Sequence, residues 1–243
     1  MSLSANAVRL AALHEQPAYR AERFDDGQPL PDHVAVLPSA FNPPTRAHLG
    51  LLELPLQEEG IEAAVALLST NNVDKSLFGA PLSHKVGMLL SLAEKREWLA
   101  VMATNAARLF DQGMALRFAF PKTKFDFVVG YDTLVRLFDS KYYEDMDAAL
   151  DSFFAEHRVI ATNRAQATTD TVRDYLEQSS VRRWALNVLV RQLPESHRWL
   201  SSTETREGIR QSAKAMALTD EVSTYIQRND LYGEESETDT SAG

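Results

Sequence analysis

The chain has 243 residues, 44% apolar and 24% charged, which is ordinary for a folded domain and excludes wholesale disorder. Its 25 basic and 34 acidic residues leave a net charge of −9, which argues against a chain that coats nucleic acid or an anionic membrane. There is no cysteine, so disulfides, thiolate zinc sites and cysteine nucleophiles are excluded. No apolar run approaches the roughly 18 residues that a membrane span requires. The first 20 residues lack the apolar core and small-residue cleavage site of a secretory signal. The expectation is a soluble intracellular protein, cytoplasmic or nuclear.

Residues 1–31 hold one short amphipathic stretch, Ala7 to His14, then a polar run with Pro17, Gly27, Pro29 and Pro31. They are expected to form an N-terminal extension. One domain is expected over 32–232, because no repeat or low-complexity linker divides it. Residues 233–243, which include the acidic EESETDTSAG run, are expected to be a disordered acidic tail.

Within the domain, short apolar runs alternate with segments of helical period. Strands are expected at 33–37, 63–69, 99–104, 125–129, 158–162 and 187–192. Helices are expected at 46–57, 84–95, 105–117, 132–138, 169–178 and 203–216. Near-continuous apolar strands alternating with helices imply an α/β fold, a parallel sheet with helices on both faces. Such sheets bind ligands beyond the C-terminal ends of the strands, so chemistry is expected just after each apolar run.

After the first run, Thr45 and His48 lie one turn apart at a helix start, suited to a phosphate or simply to a capped helix. After the second, Lys75 offers a mobile charge, and Ser83 is a candidate cap for a helix beginning near His84. After the fourth comes Gly130-Tyr131-Asp132, where the carboxylate could accept from ribose hydroxyls or cap the next helix. The fifth ends at Asn163-Arg164. The last precedes Ser201-Ser202-Thr203-Glu204-Thr205-Arg206, both a phosphate cradle and a capping-box pattern. Trp98, Trp184 and Trp199 fit packing roles better than stacking ones. His84, His157 and His197 have no metal-ligand spacing, so no protein-bound metal is expected.

Taken together, these segments resemble a known family. The turn SAFNPPTRAH is similar to the GSFNPxTxxH element of nicotinamide/nicotinate mononucleotide adenylyltransferases. GYD resembles their GxD element and LSSTETR their ISSTxxR signature. The order holds across roughly residues 33–215, and GYDTLVRLFDSKYY resembles a divergent fungal-type branch.

The resemblance implies a Rossmann-like nucleotidylyltransferase fold. It implies transfer of AMP from ATP, with Mg²⁺, to nicotinamide or nicotinate mononucleotide, giving NAD or its deamido form and pyrophosphate. Its partners would be ATP and a pyridine mononucleotide, with homo-oligomerisation left open. His48 would bind ATP phosphate with Thr45 beside it, and Ser39, Ala40 and Phe41 would supply turn backbone. Lys75 would take the phosphate-binding lysine position. Gly130 and Asp132 would hold the adenosine, Arg164 the following strand end, and Ser202, Thr203 and Arg206 the triphosphate. Phe41 and Tyr143 would meet the mononucleotide, Tyr143 by stacking on the pyridine ring.

Two departures stand out. Ser39 replaces the family's glycine, and Ala40 replaces its serine, removing a hydroxyl worth about 1 kcal/mol. They leave two alternatives open: transfer to another phosphomonoester, or a non-catalytic nucleotide-binding regulatory protein on the same fold.

Overall fold

The computed structural model describes residues 2–71, 79–163, 166–211 and 216–233. Its strands are β1 (Ala21–Arg23), β2 (His33–Pro38), β3 (Ala63–Ser69), β4 (Leu99–Thr104), β5 (Lys124–Gly130), β6 (Arg158–Thr162) and β7 (Val188–Arg191). They form one sheet in the order β1-β4-β3-β2-β5-β6-β7. Every pairing is parallel except that of β1 with the edge of β4.

The apolar runs are continuous because both faces of the sheet are covered. In β3 the two-residue period divides one strand between two cores. Ala64, Ala66 and Leu68 face one, and Ala63, Val65 and Leu67 the other. The helices are α1 (Leu3–His14), α2 (Arg46–Glu53), α3 (Leu82–Ala93), α4 (Leu109–Ala119), α5 (Tyr131–Leu137), α6 (Met146–Glu156), α7 (Thr169–Leu176), α8 (Glu195–Arg198), α9 (Ser202–Arg210) and α10 (Asp220–Arg228). Leu13 of α1, Leu51 of α2, Val86 and Leu89 of α3 and Val222 of α10 fill the first core. Leu116 of α4, Leu134 of α5, Phe153 of α6 and Val172 of α7 fill the second. The α/β class with helices on both faces is therefore observed.

Several boundaries differ from the sequence expectation, each for a local reason. Residues 2–31 contribute α1 to the first core and β1 to the sheet edge. The helix expected over 46–57 tightens into a 3-10 turn at Leu54–Gln57, where Pro55 has no N–H to continue the α-helical ladder. The helix expected from 105 begins at Leu109. Asn105 instead accepts from the Arg20 N–H and donates to the carbonyls of Gln16 and Ala18, holding the N-terminal segment. Helices α6 and α10 were not expected. The latter is polar apart from its buried Val222 and Ile226, one turn apart, and Thr219 caps it through the Val222 N–H.

The chain leaves β2 toward β3 and β4, then crosses back to place β5 on the other side of β2. The strand order thus switches between β2 and β5, and the crevice outside their C-terminal ends is where such sheets bind ligands. Among the described residues no helix is long and apolar enough to cross a membrane.

Candidate active site

A cavity of about 320 Å³ occupies that crevice. Its floor is the C-terminal ends of β2, β3 and β5, through Pro38, Ser39, Leu67, Leu68, Ser69, Val128, Val129 and Gly130. The loop before α4 and the residues after α5 close it, with Arg108, Gln112, Tyr142 and Tyr143 among them.

His48 stands at the centre. It is 3% exposed, in the first turn of α2, and its orientation follows from its neighbours. The Thr45 N–H donates to its Nδ1 at 3.1 Å, and the Thr45 hydroxyl lies 2.9 Å from the same atom. With Nδ1 accepting, the ring proton sits on Nε2, which lies 3.0 Å from Ser39 Oγ at the cavity wall. Phe41 backs the ring at 5.1 Å between centroids. Its own side chain is buried, and its backbone adopts φ 43°, a left-handed conformation that a buried aromatic holds only because the turn around it is fully packed.

That turn is gripped from behind by the C-terminal part of the chain. Ser202 Oγ donates to the Pro43 carbonyl at 2.9 Å, and Arg206 Nη1 donates to the Asn42 carbonyl at 2.5 Å. The Tyr232 hydroxyl donates to Asn42 Oδ1 at 2.8 Å. The Arg46 N–H donates to the Ala217 carbonyl at 2.7 Å. The serine-rich segment is therefore built onto the His48 turn. Ser201, not Ser202, caps α9 by accepting from the Glu204 N–H. Arg206 Nη2 also lies 3.3 Å from the Thr203 hydroxyl.

Lys85 enters the cavity from α3. It is 2% exposed, and burial, with the Arg206 charge adding to it, lowers its pKa from 10.5 to about 8. Arg206 acts on Lys85 from behind the His48 turn, outside the cavity lining.

The structure brings Ser39, Ala40, His48, Gly130 and Tyr143 to the cavity lining. Thr45 and Phe41 lie behind His48, and Ser202 and Arg206 behind the turn. Asp132 is exposed in the first turn of α5, outside the lining, where Thr133 and Arg136 face the cavity. Thr203 is also exposed. Lys75 and Arg164 fall outside the described residues. The Tyr143 hydroxyl donates to the Leu137 carbonyl at 2.7 Å, its ring meets Phe110 edge-on, and burial pushes its pKa up to about 12. Trp184 is core, its Nε1 donating to Asp151, while Trp199 stays half exposed with its Nε1 on Glu195.

Residue-level reasoning missed Lys85, Arg108, Gln112 and Arg136. Lys85 had a visible signal. It lies in register with Leu82, Met88, Leu89 and Leu92 on the apolar face of α3, where a lysine is out of place unless it is used. Arg108 and Gln112 had no comparable signal. Among the described residues no group of three or more histidine, aspartate or glutamate side chains is placed to hold a metal ion.

No family model matches the chain. A protein of Schizosaccharomyces pombe, provisionally named nicotinamide mononucleotide adenylyltransferase, is 30% identical over 152 residues. That match takes in 60% of this chain and spans 59% of the relative's own length. Among solved structures, the Plasmodium falciparum nicotinic acid mononucleotide adenylyltransferase complexed with NaAD superposes with a TM-score of 0.62 at 15% identity. The superposition covers 82% of this chain and 97% of that one. The same enzyme complexed with APC gives a TM-score of 0.59 at 14% identity, over 82% and 96% of the two chains. The chain is thus similar in sequence to one such adenylyltransferase, over a little under two thirds of each chain, and similar in fold to another. It has their nucleotidylyltransferase fold, with the cavity at the switch point of the sheet.

Proposed function

We propose that this protein transfers AMP from ATP, bound as its Mg²⁺ complex, to a pyridine mononucleotide, releasing pyrophosphate. The observation that carries the reading is His48 at the switch point, held by Thr45 so that its Nε2 faces Ser39 at the wall of a cavity that Lys85 also lines.

The chemistry asks little of a protein beyond this. A phosphate oxygen of the mononucleotide forms a bond to the α-phosphorus of ATP, the α–β bridging P–O bond breaks, and pyrophosphate leaves with the electron pair. The nucleophile is already anionic, so neither a covalent intermediate nor a strong base is needed. Catalysis consists of alignment and stabilisation of charge on the phosphoryl oxygens.

His48 Nε2–H donates to a phosphate oxygen in place of Ser39 Oγ. Ser39, the residue that departs from the family's glycine, thus holds the imidazole in position until ligand displaces it. Lys85 takes the phosphate-binding role assigned from sequence to Lys75, and Arg206 adds charge while anchoring the turn through the Asn42 carbonyl. Gly130, with Thr133 and Arg136, forms the adenosine side. The wing between Arg108, Gln112 and Tyr143 forms the pyridine side.

The test is incubation with ATP, Mg²⁺ and nicotinamide or nicotinate mononucleotide, measuring pyrophosphate and dinucleotide separately. Equal amounts of both are expected. Binding of ATP without either product would reject the reading.

A further inference from the structure

Sequence reasoning left open which pyridine nucleotide the site takes, and the wing at the start of α4 bears on it. Tyr143 meets Phe110 of α4, and Arg108, just before that helix, donates to the Tyr142 carbonyl, so the aromatic wall and α4 form one wing of the cavity. Gln112 lines this wing and is 5% exposed. Its Nε2 faces the carbonyls of Ala106 and Ala107 at 3.3 and 3.4 Å, which sets the amide orientation. Its Oε1 is buried and accepts no hydrogen bond from the described residues. A buried acceptor without a donor is an unfavourable state that a ligand donor relieves.

The charge of the wing points the same way. Arg108 makes a two-pronged contact with Asp111, Nε at 2.6 Å and Nη2 at 3.0 Å, while its Nη1 donates to the Tyr142 carbonyl at 2.6 Å. All three nitrogens of the guanidinium are engaged, and Asp111 cancels its charge. A nicotinate carboxylate entering here would meet a neutralised arginine, a buried aspartate and an amide oxygen. A carboxamide would bring the N–H that Oε1 lacks.

We propose that Gln112 Oε1 accepts from the carboxamide of the pyridine ring, making the protein selective for nicotinamide mononucleotide over nicotinate mononucleotide. This rests on the adenylyl-transfer reading of the same cavity. The two amide contacts of Nε2 are long, so a small turn of the side chain brings Oε1 to the ring substituent. A site built to hydrogen-bond an N–H discriminates against an analogue that lacks it, and here the analogue is also an anion.

The experiment compares kcat/KM for the two mononucleotides in wild type, Gln112→Met and Gln112→Lys, with calorimetric binding of each nucleotide alongside. Wild type is expected to favour the nicotinamide nucleotide by tenfold or more. In Gln112→Met that ratio should fall toward one through loss on the nicotinamide side alone. In Gln112→Lys the new cation should reverse it. A merely structural role would depress both nucleotides together and leave the ratio intact, which overturns the proposal, as does a wild type that favours nicotinate. If neither nucleotide yields pyrophosphate, adenylyl transfer fails as a reading. The binding ratio then decides the selectivity by itself: tighter nicotinamide nucleotide, lost in Gln112→Met, supports it, and equal or weaker binding overturns it.

Discussion

The two ends of the sheet bury charges of different sign. At the N-terminal ends of the strands, Asp126 of β5 is fully buried, and Arg158 Nη2 donates to its Oδ2 at 2.6 Å. His33 Nε2 lies 3.0 Å from the same oxygen. Nearby, Arg191 Nη2 donates to Glu58 at 2.7 Å, and the contact holds that carboxyl below its ordinary range. Two residues further along β5 the strand reaches the cavity, which buried Lys85 lines and where the Arg206 charge adds to burial in lowering its pKa. One end sets its buried carboxylate against an arginine and a histidine, while the other places a buried lysine at the cavity lining. A net charge of −9 is therefore compatible with the proposed triphosphate site, because the relevant field is local.

Breaking each end should have a different signature. The largest effect is expected from His48→Ala, which removes the Nε2 donor: turnover should fall at least a hundredfold, about 3 kcal/mol of transition-state stabilisation, while circular dichroism and melting temperature stay near wild type. Next is Asp126→Asn at the opposite end. It should lower unfolding free energy by about 2 kcal/mol in urea titration, because Arg158 and His33 lose their carboxylate, yet leave ATP affinity unchanged.

Lys85→Met should weaken ATP binding about tenfold at pH 7 and abolish the pH dependence expected of wild type. The sign follows from burial. The folded pKa, about 8, lies below the ordinary 10.5, so between those values the unfolded chain holds the extra proton, and wild-type stability rises with pH across that window. ATP favours the charged amine, so wild-type affinity should fall as pH rises through 8, with proton uptake on binding seen by calorimetry in two buffers. Lys85→Met should bind with no such step. The smallest effect is expected from Ser202→Ala, which frees the Pro43 carbonyl: about 1 kcal/mol of stability, with a few-fold rise in the KM for ATP as the His48 turn loosens.

Much of this arrangement was legible without coordinates. The six parallel strands could be read from their apolar runs because each is covered on both faces. His48, Ser39 and Gly130 could be placed because strand ends on such a sheet converge on one crevice. What was not legible depended on tertiary partners. Residues 2–31 read as an extension because three strand residues and one short amphipathic helix carry little period, yet Asn105 pins them into the sheet edge. Ser202 and Arg206 read as ligand groups because hydroxyl and guanidinium suit phosphate, whereas their carbonyl partners on Asn42 and Pro43 lie about 160 residues away in sequence. Lys75, which took its role from the family resemblance, lies outside the described residues, and Lys85 was overlooked. The lysine on an apolar helical face was the stronger signal. Gln112 has no signature in sequence, since its significance lies in one oxygen left without a donor.

The most direct measurement follows phosphorus. ATP labelled at the α-phosphate, and separately at the γ-phosphate, is incubated with Mg²⁺, nicotinamide mononucleotide and either wild type or His48→Ala. The α label should appear in the dinucleotide and the γ label in pyrophosphate, at equal rates, and both should fall at least a hundredfold in the variant. A γ label released as free phosphate, no α label in dinucleotide, or transfer undiminished in His48→Ala would contradict a site in which His48 serves adenylyl transfer.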